Sequence, residues 1–424
     1  TLEKMLEEGT IRPSRSEWSS PLHMVPKKDN SWRLVGDYRA LNKVTKRDTY
    51  SLPFLQDFSA NLHGMKVFSR IDLKSAFHQV PIHEEDIPKT CIVTPMGAFE
   101  FVKMSFGLSG ASQTFQRFIN QVLWKLEASH NGITRPVNHF SFIDDILIAS
   151  KNEEEHYHDL EALFKRLSQN GLKINPLKCE LGVDHLEILG HAIDSNGITP
   201  LPEKVQAIEN YERPMKVKGL RRYLGMLNYY KRFLKDSTAY LAPLYALIPK
   251  DTSKNPPINW TDTTIKHFDK SKSELANAAV LAYPNPDAAL SIATDASSHS
   301  IGGVLQQTHN NVTTPIAFFS KKLDTTQQKY SVFGRELLGI FLSIKHFRKF
   351  IEGRSFKILT DHKPILGAFN KSLPRDITRE TRQLQYISQF SPVIEHISGE
   401  QNIVADALSR CNKEEDDVSI CAGL

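Results

Sequence analysis

Two adjacent carboxylates, Asp144 and Asp145, lie inside the apolar run Phe142-Ile143-Asp144-Asp145-Ile146-Leu147-Ile148. The flanking residues His139–Ile143 and Ile146–Ala149 are rich in β-branched and aromatic types and read as short strands, so the acidic pair forms the tip of a β-hairpin. An acidic tip is either a solvated turn or a cation ligand, because an unpaired buried carboxylate is costly. A third acid, Asp72, closes the strand candidate Lys66–Leu73. Alone it reads as a cap or turn former; beside the pair it becomes a third ligand. Three carboxylates drawn together repel one another. Mg²⁺ reverses that balance, since hard oxygen ligands suit it and it keeps positions open for phosphates. Two ions about 3.5–4 Å apart can activate an attacking oxygen and stabilise a leaving one. Side chains alternate along a strand, so Asp144 and Asp145 are unequal. Asp72 and Asp144 are expected to bridge the ions, with Asp145 as the auxiliary ligand.

Several elements must position these acids. Pro13, Pro21 and Pro26 mark extended strands and turns, and Lys27-Lys28-Asp29-Asn30-Ser31 is a turn before Trp32-Arg33-Leu34-Val35. Cations there could grip a triphosphate; the alternative is an ordinary exposed hairpin. Ser112 is the expected N-cap of an amphipathic helix with Phe115, Phe118, Ile119, Val122, Leu123 and Leu126 on one face. Before it, Gly107 and Gly110 permit close approach of backbone to a ligand. A second helix runs from Glu153 to Asn170 and stops at Gly171. Leu186–Ile198 reads as a hairpin turning at Asp194-Ser195-Asn196-Gly197. Helices follow from about Val217 to Leu234 and from Thr263 to Ala278.

Beyond Pro284-Asn285-Pro286 the order changes. Strands at Leu290–Thr294, Ile301–Gln307 and Pro315–Phe319 precede a long helix, Ser331–Phe350, with Leu337, Ile340, Phe341, Ile344 and Phe347 on one face. Then come a strand at Phe356–Thr360, helical stretches, a strand at Val393–Ile397 and a last helix carrying Asp406. The order is βββ-α-β-α-β-α. Asp295 and Asp361 end strands, while Glu336 and Asp406 sit on helices.

Together these motifs resemble a reverse transcriptase of the gypsy-type long-terminal-repeat retrotransposons. The resemblance rests on Lys27-Lys28, Trp32 to Lys43, Ile71-Asp72-Leu73-Lys74-Ser75-Ala76-Phe77, Phe106-Gly107-Leu108 through Thr114-Phe115-Gln116, Phe142-Ile143-Asp144-Asp145, and His396 with Asn402 to Arg410. It covers nearly the whole chain. It implies an α+β fold: a right-hand polymerase of fingers, palm and helical thumb, then an α/β ribonuclease H-like domain with a mixed sheet. The expected limits are 1–200 for fingers and palm, 201–284 for thumb and linker, 285–412 for the ribonuclease H domain, and 413–424 for an acidic tail expected to be disordered.

Carried over by motif, Asp72, Asp144 and Asp145 match the polymerase metal ligands, and Asp295, Glu336, Asp361 and Asp406 the four-carboxylate nuclease site. His396 matches a histidine associated with product release; a core or surface histidine is the equal alternative. Phe77 matches the aromatic gate against a ribose 2′-hydroxyl, and Arg33 the triphosphate-binding arginine. Lys27 is its preferred partner and Lys28 the alternative; Gly107 lies in the nucleotide-side turn. Leu189-Gly190-His191 resembles the primer-gripping hairpin. The basic helix with Arg221, Arg222, Lys231 and Arg232 resembles the thumb. Two departures stand out: Phe142 where the family often has Tyr, and Gly110-Ala111-Ser112 in place of Asn-Ala-Pro. Neither removes a carboxylate.

The resemblance implies two Mg²⁺ per site, Mn²⁺ being an alternative, with an RNA template, DNA primer, RNA/DNA hybrid and dNTPs as partners. It also implies a homodimer assembling on substrate and a cytoplasmic virus-like particle. A non-catalytic nucleic-acid-binding or domesticated structural subunit is the rival. Composition agrees with these readings. The 424 residues exceed one core and suggest roughly two to four domains. No apolar run is long enough to span a membrane, and no signal peptide opens the chain, which reads as a piece of a polyprotein. Cys91, Cys179, Cys411 and Cys421 lack metal or disulfide spacing and read as reduced intracellular thiols. The net charge of +5 is concentrated: residues 201–250 hold ten Lys/Arg against four Asp/Glu. Basic residues interleaved with Tyr229 and Tyr230 suit a nucleic-acid backbone.

Overall fold

Alternating side chains along Val67–Asp72 and Asp145–Ser150 build the sheet that carries the first acidic set. The computed structural model describes residues 2–26, 32–54, 58–59, 61–235, 237–249, 255–278, 280–369 and 378–397. By its internal contacts the chain divides into two units, Thr1–Phe58 with Gly64–Leu186, and Ser59–His63 with Glu187–Leu424.

The first unit contains α1 (Leu2–Glu7), β1 (Ile11–Pro13), β2 (Ser20–Pro26), β3 (Trp32–Gly36), α2 (Arg39–Val44), β4 (Val67–Asp72), β5 (Ile92–Thr94) and β6 (Gly97–Phe101). It continues through α3 (Ala111–Val122), β7 (Glu127–His130), β8 (Ile133–Pro136), β9 (His139–Phe142), β10 (Asp145–Ser150), α4 (Glu153–Gln169) and β11 (Glu180–Val183). One sheet has the order β1-β6-β5-β2-β3 and another β11-β4-β10-β9. In the second sheet β4 and β10 are antiparallel, pairing Asp72 with Asp145 and Ile71 with Ile146. Ile71, Ile146 and Ile148 share a core with Phe115 and Ile119 of α3 and Leu163 and Leu167 of α4. Each such buried side chain contributes roughly 2 kcal/mol. Alternation then projects Arg70, Asp72 and Asp145 from the sheet's other face. α3 begins one residue before the expected cap: Gly110 is the N-cap and Ser112 lies in the first turn. The earlier start buries Ala111 in the core.

Toward the far ends of β4 and β10 a buried polar chain ties the sheet to α4. Ser69 Oγ lies 2.5 Å from His156 Nε2, and Ser150 Oγ lies 2.8 Å from His156 Nδ1. Ser150 also donates to Asp159 Oδ2 at 2.7 Å, and Arg135 approaches Asp159 Oδ1 at 3.0 Å. The amide of Gly182 in β11 donates to Ser69 Oγ at 2.9 Å.

Beginning inside β12, the second unit comprises β12 (Leu186–Ile188), β13 (His191–Ile193), β14 (Ile198–Pro200), α5 (Pro202–Glu209), α6 (Val217–Tyr229), α7 (Ser237–Ala246) and α8 (Asp262–Ala276). There follow β15 (Ala289–Ala296), β16 (Ser300–His309), β17 (Val312–Lys322), α9 (Val332–Ile351), β18 (Phe356–Thr360), α10 (Lys363–Phe369), α11 (Arg379–Ser388) and β19 (Val393–His396). The expected single hairpin at Leu186–Ile198 is a three-stranded meander. Leu189 and Gly190, at φ 47° and 74°, make a tight turn between β12 and β13. α6 ends at Tyr229 rather than Leu234, and a 3₁₀ turn at Lys231–Phe233 follows, with Tyr230 and Phe233 buried. The last sheet has the order β17-β16-β15-β18-β19. Its β15–β18 and β18–β19 pairs are parallel, and the others antiparallel. α9 buries Leu337, Ile340, Ile344 and Phe347 against Leu290, Ile292 and Ile358. The expected helix carrying Asp406 and the acidic tail lie outside the described residues.

Candidate active sites

Asp72 stands directly across the β4–β10 ladder from Asp145. Asp144 is the second residue of the two-residue turn Ile143-Asp144, between Phe142 and Asp145. Ile143 takes φ 55°, a left-handed conformation that is unfavourable for a β-branched residue. Gln116 of α3, fully buried, holds that turn. Its Oε1 accepts from the Ile143 amide at 2.8 Å, and its Nε2 donates to the Ser141 carbonyl at 2.9 Å. The Asp144 carbonyl accepts from the Leu73 amide at 3.1 Å, and the Asp72 carbonyl from the Asn175 amide at 2.8 Å. Burial pushes the Asp144 carboxyl above its ordinary range, and the charge of Asp72 adds to it. Burial and then Asp144 push Asp145 up to about 6. Lys178 opposes both shifts, joined by Arg33 at Asp144 and by Arg70 at Asp145.

Arg33, Phe77 and Gly107, expected on the nucleotide side, lie in the same unit. The Arg33 guanidinium lies 4.4 Å from the Phe106 ring centre. The Phe77 ring packs against Phe106 at 5.0 Å and Phe115 at 5.8 Å, half-buried at the edge of the core. Gly107 has φ 92°, and a Cβ there would come within 3.2 Å of the Gly36 carbonyl and of Val35. Asn42 fixes this turn by donating to the Gly107 carbonyl and accepting from the Ser109 amide, each at 2.9 Å. Lys27 and Lys28 lie outside the described residues.

Asp295, Glu336 and Asp361 converge more tightly. Among the described residues they are the group of three potential metal ligands whose ligand atoms all lie within 4.8 Å of one another. Parallel pairing explains the meeting: two steps beyond the Ala293–Leu359 pair, β15 and β18 deliver Asp295 and Asp361 side by side. α9 brings Glu336 onto them, and Glu336 Oε1 accepts from the Ala296 amide at 3.2 Å. The other oxygen, Oε2, is buried with no hydrogen-bond partner. Burial, then Asp295 and Asp361, push Glu336 up to about 9. An orphaned buried oxygen among carboxylates fits a hard divalent ion. His396 ends β19 opposite Thr360 and is exposed at the same sheet end as Asp361. Asp406 lies outside the described residues.

The Leu189-Gly190-His191 turn is held by aromatic residues of α6 and its end. Tyr229 donates to the Leu189 carbonyl, and Tyr230 to the Gly190 carbonyl at 2.9 Å. His191 is buried among Tyr229, Tyr230 and Phe233, with ring centres 5.3–5.5 Å away. Its Nδ1 lies 2.9 Å from the Leu189 carbonyl, so that nitrogen carries the proton. Burial and the neighbouring Arg232 push its pKa down to about 4. Arg221 and Arg222 are exposed on α6, whereas Lys231 and Arg232 are only partly so. Arg232 rests on the Phe233 ring at 4.9 Å, and burial pushes it down to about 10.

Sequence reasoning assigned no role to Gln116, Lys178, Arg70 or Asn42. Gln116 and Asn42 are polar residues of helices, and only docking of those helices shows what they hold. Lys178 reaches the acids through a chain reversal that leaves no local signal.

Residues 25–193 match the family described as reverse transcriptase (RNA-dependent DNA polymerase), and residues 260–358 match the RNase H-like domain found in reverse transcriptase. The chain is 35% identical over 427 residues to the retrovirus-related Pol polyprotein from transposon opus of Drosophila melanogaster, covering 96% of this chain and 41% of that protein. It is 33% identical over 408 residues to the transposon Tf2-3 polyprotein of Schizosaccharomyces pombe, covering 96% of this chain and 30% of that protein. It thus spans less than half the length of these relatives. Among solved structures it is similar to the foamy viral protease-reverse transcriptase dRH in complex with double-stranded DNA, with a TM-score of 0.80 at 23% identity, covering 93% of this chain and 68% of that one. The same viral protein in complex with an RNA/DNA hybrid gives a TM-score of 0.76 at 22% identity, covering all of this chain and 55% of that one. The shared fold is that of a reverse transcriptase, α+β with a mixed-sheet RNase H-like domain. Among the described residues no helix is long and apolar enough to cross a membrane. The chain thus carries a reverse transcriptase domain followed by an RNase H-like domain, and its relatives along 96% of its length are transposon Pol polyproteins.

Proposed function

We propose that this chain is an RNA- and DNA-directed DNA polymerase that copies retroelement RNA and cleaves the RNA strand of the resulting hybrid. The observation supporting this reading best is the presence of two acidic clusters, one within the first matched domain and one within and just beyond the second, with Asp72 registered on Asp145 and Asp295, Glu336 and Asp361 within ligand distance. Asp72, Asp144 and Asp145 would hold one pair of Mg²⁺ ions, with Mn²⁺ an alternative, and Asp295, Glu336, Asp361 and Asp406 the other. When bound, such ions supply activation of an attacking oxygen and neutralisation of a leaving one. The remaining work falls to the chain itself. Arg33, with Lys27 or Lys28, binds the triphosphate, and Phe77 excludes a ribose 2′-hydroxyl. Gly107 lets backbone approach the nucleotide. Leu189, Gly190 and His191 support the primer end, and Arg221, Arg222, Lys231 and Arg232 hold backbone phosphates. His396 assists product release.

Residues 1–200 serve as fingers and palm, 201–284 as thumb and linker, and 285–412 as the nuclease. The substrates are dNTPs, RNA template, DNA primer and hybrid. A homodimer forms on substrate, and the protein works in a cytoplasmic virus-like particle. Primer extension on a homopolymeric RNA template with Mg²⁺ tests the polymerase half, and hybrid cleavage the nuclease half. Asp144→Asn is expected to abolish extension and spare cleavage; Asp361→Asn is expected to do the converse. Full activity of either variant in its own assay overturns that half. Loss of activity in Asp145→Asn with retention in Asp144→Asn overturns the ranking of bridging ligands.

A further inference from the structure

A crevice of about 500 Å³ opens between α7 and the end of β17, outside both acidic clusters. The two elements are joined through Ser320, whose hydroxyl lies 2.7 Å from Thr238 Oγ1 and 2.9 Å from Ser237 Oγ. The Thr238 amide donates to the same oxygen at 3.2 Å. Three lysines, Lys231, Lys321 and Lys322, line the crevice, and no carboxylate does so among the described residues. Lys321 and Lys322 are exposed, while Lys231 is partly buried, which lowers its pKa. The floor is apolar, formed by Leu241 and Ala242 of α7. Tyr245 also lines it and is 46% exposed.

A cationic rim around an aromatic and apolar floor is complementary to one nucleotide: phosphate outside, base inside. Bases within a duplex have both faces covered, so the base must be unpaired. We infer that this crevice seats an unpaired nucleotide of the bound nucleic acid, its base against Tyr245 and its phosphates at Lys231, Lys321 and Lys322. The inference rests on the proposed hybrid-binding function and adds a single-strand subsite to it.

The test is fluorescence anisotropy of the full chain in EDTA, with a blunt RNA/DNA hybrid and with the same hybrid carrying an overhang of about eight nucleotides. The overhang is expected to tighten binding roughly tenfold, the scale of one base stacked on an aromatic ring. Tyr245→Ala should erase that gain and leave blunt-hybrid binding intact. The double variant Lys321→Gln/Lys322→Gln should lower the slope of log affinity against log salt by about 1.4 for the overhanging hybrid only. Because both lysines are exposed, this variant stays informative should Tyr245→Ala fail to fold. A further arm places 5-iodouridine along the overhang and maps ultraviolet cross-links, with adducts expected on Tyr245. Binding of both hybrids with no overhang gain, or a gain that survives both variants, overturns the subsite and leaves the polymerase reading standing. Binding of neither hybrid overturns both.

Discussion

Gln116→Met removes the two polar groups that hold the acidic turn while nearly conserving volume. The Ile143 amide loses its acceptor at 2.8 Å, and the Ser141 carbonyl loses its donor at 2.9 Å. Both lie where α3 covers β9, with Gln116 fully buried and Ser141 buried. Each orphaned backbone group costs about 1–3 kcal/mol, so the variant is expected to lose about 2–6 kcal/mol of stability. The same two bonds hold Ile143 in its left-handed conformation at φ 55°, which costs a further 1–3 kcal/mol or so. Once they are gone the turn relaxes and carries Asp144 away from Asp72. A shift of about 1 Å in a reacting constellation costs on the order of 10²-fold in rate. Single-turnover nucleotide incorporation should therefore fall by about that factor, with urea denaturation reporting the stability loss. Ile143→Gly relieves the strain at source, so adding it to Gln116→Met should recover part of the rate, a coupling that a double-mutant cycle would read. A Gln116→Met protein that loses stability but incorporates nucleotide at the wild-type rate would refute a positioning role and leave Gln116 a core residue only.

Two further outcomes follow from the geometry. With Glu336 pushed up to about 9 in the folded chain, its protonated form is the one the fold favours. Its contribution is complete below the ordinary carboxyl range and drains away as pH rises toward 9, so without divalent ions thermal stability should decline between pH 5 and 9. Mg²⁺ should restore more stability at the alkaline end, and Glu336→Gln should flatten the profile; a wild-type melting temperature independent of pH would contradict this. Gly107→Ala places a Cβ 3.2 Å from the Gly36 carbonyl at a φ of 92°. It is expected to cost about 1–3 kcal/mol and to raise KM for the nucleotide more than it lowers kcat; steady-state kinetics with an unchanged KM would count against that placement.

What the sequence discloses is what local pattern controls. The apolar flanks of Asp144-Asp145 become β9 and β10, and the stripe from Leu337 to Phe347 becomes the buried face of α9. Phe356–Thr360 is a strand to the residue, because its ends coincide with a glycine-containing turn and an acid. Where a tertiary contact decides, pattern fails. The Leu189–Gly190 turn splits an expected hairpin because Tyr229 and Tyr230, at the end of α6, donate to its carbonyls. α6 stops early because Tyr230 and Phe233 bury beyond it. Lys178 meets Asp144 and Asp145 only after the chain has folded back from α4. Asp295, Glu336 and Asp361 come together as the strand–helix order required, and Asp72, Asp144 and Asp145 share one hairpin-and-strand corner.

The polar chain through Ser69, His156, Ser150 and Asp159 has a mechanical consequence. Ser69 precedes Asp72 by three residues, about 10 Å along the strand, and Ser150 lies farther still from Asp145. The two strands are therefore tied to α4 at the root, as Gln116 and the Leu73 and Asn175 amides hold them at the charged tips. The stiffness of the acidic corner is thus set in part by residues several positions away from its carboxylates.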